Sequence, residues 1–194
     1  MNVVNRKIII IASTCFFFLS CGDGVVYTPK PRGYFRIDVH DTTYTPLQGN
    51  YPYFFEYSNQ AVVDSLTRKE KYWINLEYPE LNATLHITYK SMNTNDLSDL
   101  INDSRAFVFK QIVKADDIVE SHILDTVINL YGKIYETIGN DAACPFQFWV
   151  TDRQKHFFRG SLYLNQVPQN DSLAPVINYL KKDMMHLIGT FRWN

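Results

Sequence analysis

Cys21 carries the clearest chemical commitment in this sequence, because of what precedes it. Arg6 and Lys7 give a positive start, and Ile8–Ala12 and Cys15–Leu19 form a greasy stretch broken by Ser13 and Thr14. A membrane-spanning helix needs about 20 apolar residues, so this stretch is too short to span but long enough for the core of an export signal. It ends in Phe18-Leu19-Ser20-Cys21-Gly22. A small residue followed by cysteine, directly after an apolar run, fits a lipobox, with Phe18 where leucine is usual. In that chemistry the thiol is diacylated with chains such as palmitate, the bond before the cysteine is cut, and the new N-terminus gains a third chain. One chain anchors only marginally, whereas two or more hold firmly, because each buried methylene contributes about 0.8 kcal/mol. The expectation is a signal peptide over residues 1–20 and lipidation at Cys21.

The other candidate reactive groups read as structural. Cys15 would leave with the signal, so Cys144 would remain alone and could form no internal disulfide. Its flanks, Ala142-Ala143 and Pro145-Phe146, fit a small buried residue entering a strand. His40, His86, His122, His156 and His186 occur in no His-Glu-x-x-His or close Cys/His pattern, so no metal site is expected. His86 and His156 fall in strand-like segments and read as half-buried, hydrogen-bonded side chains. Asp116, Asp117 and Glu120 read as a solvated element edge. Gly139-Asn140-Asp141 has turn chemistry, with both Gly139 and Asn140 able to adopt left-handed dihedrals, but lacks the spacing of a phosphate loop. No catalytic residue and no cofactor are expected, although a nucleophile and base meeting in space would not be legible in a linear sequence.

Charge narrows the partners. The chain has a formal charge of −1, and losing Arg6 and Lys7 makes the remainder more acidic. Nucleic-acid binding normally needs a concentrated basic face, so that class is set aside. Residues 21–32 read as a lipidated N-terminus and short tether, in which Pro29 and Pro31 favour extended backbone. Lys30, Arg32 and Arg36 approach the anchor and could meet anionic headgroups, each contributing about 1 kcal/mol. Tyr27, Tyr34 and Phe35 could insert between the side chains of a partner. The alternative is that this segment merely packs along a sheet edge. Thr151–Lys155 and Arg192-Trp193 are weaker contact candidates.

Residues 33–194 are expected to form one domain that positions these groups, a length that suits a single core. Strands are expected at Tyr34–Val39, Tyr72–Leu76 and Ala83–Tyr89, the last alternating Ala83, Leu85, Ile87 and Tyr89 against Thr84, His86, Thr88 and Lys90. Between the first two, Tyr44–Tyr57 mixes prolines, Gly49 and aromatics and reads as an irregular path packed on the core. A helix should start near Asn95, with Asp96 in its first turn, and run to about Val113 on a stripe of Leu97, Leu100, Ile101, Val108 and Ile112. Strands follow at Tyr131–Ile138, Cys144–Val150 and His156–Leu164, the last two joined by the polar turn Thr151–Lys155. A second helix is signalled by Ser172 as N-cap, Pro175 in the first turn and Gly189 as stop. Consecutive strands without intervening helices argue against a doubly wound sheet. The expected class is α+β, a largely antiparallel β-sheet covered by two main helices.

Tyr27 to Ile37, Ala83 to Lys90, Gly139-Asn140 with Ala142-Ala143, Thr151-Asp152 with His156 to Tyr163, Asp171 to Val176, and Thr190 to Trp193 form a series of motifs along the chain. In that order they resemble the GldD family of gliding-motility lipoproteins from Bacteroidetes. Phe18 and Cys144 depart from the pattern. The resemblance implies a non-enzymatic envelope lipoprotein supporting the assembly or stability of the gliding motility machinery and the linked type IX protein secretion machinery. The implied partners are the membrane, through the N-terminal lipid, and envelope proteins of that machinery. The domain would face the periplasm, with inner or outer membrane left open. The alternative is an envelope ligand-binding domain for a small molecule, peptide or glycan, using an aromatic cleft between sheet and helices.

Overall fold

The computed structural model describes residues 42–64, 70–92, 97–110 and 112–194. The candidate lipidation site Cys21, the candidate contact residues Tyr27, Lys30, Arg32, Tyr34, Phe35 and Arg36, and the strand expected at Tyr34–Val39 lie outside them. So do Asn95 and Asp96, the expected start of the first helix.

In chain order the elements are β1 (Tyr44–Pro46), β2 (Tyr53–Phe54), β3 (Glu56–Ser58), β4 (Val62–Asp64), β5 (Ile74–Tyr78) and β6 (Ala83–Ser91). Then come α1 (Leu97–Phe109), β7 (Asp117–Asp125), β8 (Leu130–Ile138), β9 (Phe146–Thr151), β10 (His156–Leu164), α2 (Asn170–Thr190) and β11 (Arg192–Trp193). Seven strands form one sheet in the order β4-β5-β6-β10-β9-β8-β7, with every pairing antiparallel. Two small ribbons, β1 with β3 and β2 with β11, complete the pairing. The fold is α+β and mostly sheet. Among the described residues no helix is long and apolar enough to cross a membrane.

Strand alternation explains where the two helices go. On one face Leu76, Leu85, Ile87, Phe148, Val150, Phe158 and Leu162 are buried and meet Val176, Leu180, Met184 and Leu187 of α2. Those helical positions recur at three- and four-residue intervals, so they form one apolar stripe. Fully burying one such side chain stabilises the fold by about 1.5–3 kcal/mol. Tyr53, Phe55 and Phe191 join this core, and the Tyr53 and Phe158 rings meet edge to face at 4.8 Å. On the other face a smaller cluster of Val108, Tyr135, Trp149 and Phe157 receives Leu97, Leu100 and Ile101 of α1. The helices therefore cover opposite faces, α2 over the main core and α1 over the smaller cluster.

Several boundaries differ from the sequence expectation. Helix α1 ends at Phe109 rather than near Val113, and a single 3-10 turn follows at Ile112–Lys114. Helix α2 begins at Asn170, two residues before Ser172, and the cap comes from elsewhere in the chain. Asn170 Nδ2 donates to the carbonyls of Gly139 (2.7 Å) and Ala142 (2.9 Å), while Asn140 Oδ1 accepts from the Asp171 amide at 3.1 Å. Pro175 thus falls in the second turn. Gly189 does not stop the helix, which runs to Thr190 and ends where Phe191 turns extended and drops into the core. Gly139 has the positive φ expected of its turn (144°), but among the described residues the non-glycine positions that adopt one are Asn82, Asn129 and Arg153, so Asn140 does not. The Tyr44–Tyr57 region is more regular than expected, holding β1, β2 and the start of β3.

Candidate functional site

Register places the chemistry. Strands β6 and β10 pair from His156↔Ser91 to Leu164↔Ala83, so His86 lies opposite Ser161 and Thr88 opposite Arg159. Strand β9 adds Gln147 opposite Ser161 and Trp149 opposite Arg159. All these side chains point to the α1 side of the sheet, because strand alternation gives the opposite side to the core. Helix α1 covers only part of that side. Between it and the sheet runs a cleft with two lobes that share Thr88, Phe107 and Arg159.

The first lobe, about 130 Å³, is lined further by Trp73, Lys90, Leu100, Asp103, Ser104 and Phe157. The second, about 190 Å³, is lined further by His86, Gln147, Ser161 and Tyr163. Arg159 forms the wall between them, its guanidinium 4.5 Å from the centre of the Phe107 ring. Among the described residues no carboxylate forms an ion pair with it. Burial pulls the Arg159 pKa below its ordinary value, with Tyr163 and Asp103 acting in the opposite sense. Guanidinium stays charged regardless, so this marks a cation partly shielded from water without an acidic partner in contact.

Gln147 is the second unusual group. It is only 3% exposed. Its Oε1 accepts from Ser161 Oγ at 3.4 Å, while Nε2 has no acceptor among the described residues. Around these, His86 Nδ1 and Asn75 Oδ1 are 2.9 Å apart, and the His86 and Tyr163 rings meet edge to face at 5.6 Å. Burial lowers the His86 pKa against an upward pull from Glu77, and burial raises that of Tyr163. At neutral pH the second lobe therefore holds one fixed positive charge and neutral donors.

The other residues singled out in the sequence take structural places. Cys144 is fully buried, with burial pushing its thiol up to about 12. His156 Nδ1 lies 2.7 Å from the Tyr89 hydroxyl, and its ring stacks on Trp193 at 5.0 Å. His186 pairs with Glu56 at 2.8 Å, whereas His122 is exposed. Asp117 and Glu120 lie on the edge strand β7, where Lys133 bonds Glu120 at 2.5 Å. Thr151–Lys155 forms the expected hairpin turn. Burial alone would raise the Asp152 carboxyl, but three backbone amides, of Gln154, Lys155 and His156, hold it below its usual value. Among the described residues no three His, Cys, Asp or Glu side chains gather as a metal site. The sequence reading missed Gln147, Arg159, Ser161, Tyr163 and Phe107 as a group. The alternation Phe157, Arg159, Ser161, Tyr163 marks one face of β10, but nothing in it shows that β6, β9 and α1 complete the cleft.

Fold and site together define a small α+β domain, an antiparallel sheet with a helix on each face and a polar cleft beside the smaller helix. The profile of the family described as gliding motility lipoprotein GldD matches residues 24–193, and the chain belongs to that family. Membership ties it to gliding motility and, as a lipoprotein, to the cell envelope. No curated protein sequence matches it significantly. Among solved structures, the solution structure of cyanobacterial PsbP (CyanoP) from Synechocystis sp. PCC 6803 matches with a TM-score of 0.48 at 12% identity, over 82% of this chain and 97% of that one.

Proposed function

We propose that this chain is a non-enzymatic envelope lipoprotein that supports the assembly or stability of the gliding motility machinery and of the linked type IX secretion machinery. The observation that carries this reading is the family match, which runs almost from the candidate lipid cysteine to the end of the sequence. In this reading Cys21 is acylated, residues 21–32 tether the domain close to the bilayer, and residues 33–194 face the periplasm. Anchoring confines the domain to a surface and raises its effective concentration near envelope partners. Tyr27, Lys30, Arg32, Tyr34, Phe35 and Arg36 are the contact residues proposed on the tether side. The non-enzymatic part is supported by how the candidate groups are engaged: Cys144 is sealed in the core, and His156 and His186 are held by Tyr89 and Glu56.

Crosslinking in the native envelope, followed by mass spectrometry, tests the proposal. Crosslinks to envelope components of the motility and secretion machinery are expected, with some originating at Lys30. Recovery of no protein neighbour above background would remove the assembly role.

A further inference from the structure

We infer that the cleft between α1 and the open sheet face is a binding site for a carboxylate carried on an apolar group, with the carboxylate in the lobe of Arg159 and Gln147. This goes beyond the assembly role and stands independently of it. Three observations converge. Arg159 is a partly buried cation without an ion pair among the described residues, lying beside a space of about 190 Å³. Gln147, only 3% exposed, lines the same space, and its Nε2 donor meets no acceptor among the described residues. A buried donor without a partner is costly, so this one calls for an acceptor, which a ligand in the lobe would supply. Ser161 and Tyr163 add hydroxyls to the same lobe.

Charge and free donors together favour the second lobe for the carboxylate. Among the described residues no acidic side chain lines that lobe, whereas the first is lined by both Asp103 and Lys90, the latter 3.9 Å from Glu70. The guanidinium is planar and suits two-point recognition of a carboxylate, with Gln147 Nε2 available as a further donor. The first lobe has Trp73, Leu100, Phe107 and Phe157 along its walls, which suits an apolar side chain. A cavity of about 150 Å³ is enough for benzene; the first lobe, about 130 Å³ and sharing its Arg159 wall with the second, is of that order, and the second, about 190 Å³, is left for the carboxylate. Two sources share this chemistry, a free amphipathic acid and the C-terminal residue of a peptide.

Calorimetric titration of the full mature lipoprotein in a neutral detergent tests the site. The probes are phenylacetate, the peptide Gly-Gly-Gly-Phe with a free C-terminal carboxylate, and the same peptide as its C-terminal amide. At least one acid should bind saturably, and the amide should bind at least about tenfold more weakly than the acid peptide or not at all. Tighter binding of the acid peptide than of phenylacetate assigns the site to a peptide terminus; the reverse assigns it to a free acid. Arg159→Gln should weaken acid binding at least about tenfold while leaving the melting temperature nearly unchanged. Gln147→Met, which keeps the shape of the buried side chain without its donor, should weaken it by a smaller factor. The acid-versus-amide comparison uses the unaltered protein and decides the matter even where a variant fails to fold. Equal binding of acid and amide peptides, or no saturable binding of either acid into the millimolar range, overturns the inference.

Discussion

Asp183 shows how a single residue can oppose the fold it sits in. It lies on the core side of α2 and is only 2% exposed, facing Tyr44 of β1, Ser58 of β3, Tyr78 of β5 and His186 of its own helix. Tyr44 Oη donates to its Oδ1 at 3.1 Å, and the Tyr44 ring stacks on His186 at 3.5 Å. Burial raises the Asp183 carboxyl above its usual value, and hydrogen bonding to Ser58 and Tyr44 and the charge of His186 offset only part of this. The folded state therefore binds the proton more tightly than the unfolded chain. Below the unfolded value both states are protonated and there is no penalty; as pH rises through the raised folded value, stability is lost. Asp183→Asn removes the charge and keeps an acceptor for Tyr44. Denaturation at a series of pH values should find the variant more stable than the native chain at pH 7, with the gap closing toward pH 4. The stripe Val176, Leu180, Met184 and Leu187 is readable from the sequence, but its three- and four-residue spacing also admits Asp183 without showing what faces it. That arrangement depends on three strands far away in the chain.

Among the elements, β10 depends on a close approach. A Cβ built on Gly160 would come within 2.4 Å of the Phe148 ring on the neighbouring strand. Phe148 in turn packs on Phe158 with ring centres 6.0 Å apart. Rings in a close-packed core have little room to shift, and overpacking typically costs about 1–3 kcal/mol. Gly160→Ala should lower stability by that amount in urea denaturation, with little change in the denaturant slope. Strand β7 is the opposite case. Its residues are mostly exposed, with Ile118 and Ile123 half-buried, and it forms a sheet edge against β8. An edge strand that buries so little carries no clean two-residue alternation, so the sequence showed the acidic group there but not the strand. Strands β6 and β10 do alternate, because each has one face in the core, and their extents were readable to within two residues.

For the whole molecule, the lipid anchor proposed at Cys21 would govern where the domain works. Cys21→Ser would leave no thiol to acylate, so fractionation should move the protein from the membrane pellet to the soluble envelope fraction or leave it as uncleaved precursor. A fully processed, membrane-bound variant would mean that something other than lipid holds it. The sequence by itself determined the fold class, the two amphipathic helices, the central strands and the family, because those depend on local periodicity and on contiguous motifs. It also read Cys144 as a small buried residue, and the thiol is fully buried. Only the tertiary structure decided that the helices cover opposite faces, that α2 is capped by the Gly139–Ala142 loop, and that Gln147 and Arg159 share a cleft with Phe107. Those facts depend on strand order and on register between segments tens of residues apart, and register moves a side chain from core to surface with a one-residue slip. The anchor is a local message, whereas the cleft exists only once distant strands have paired.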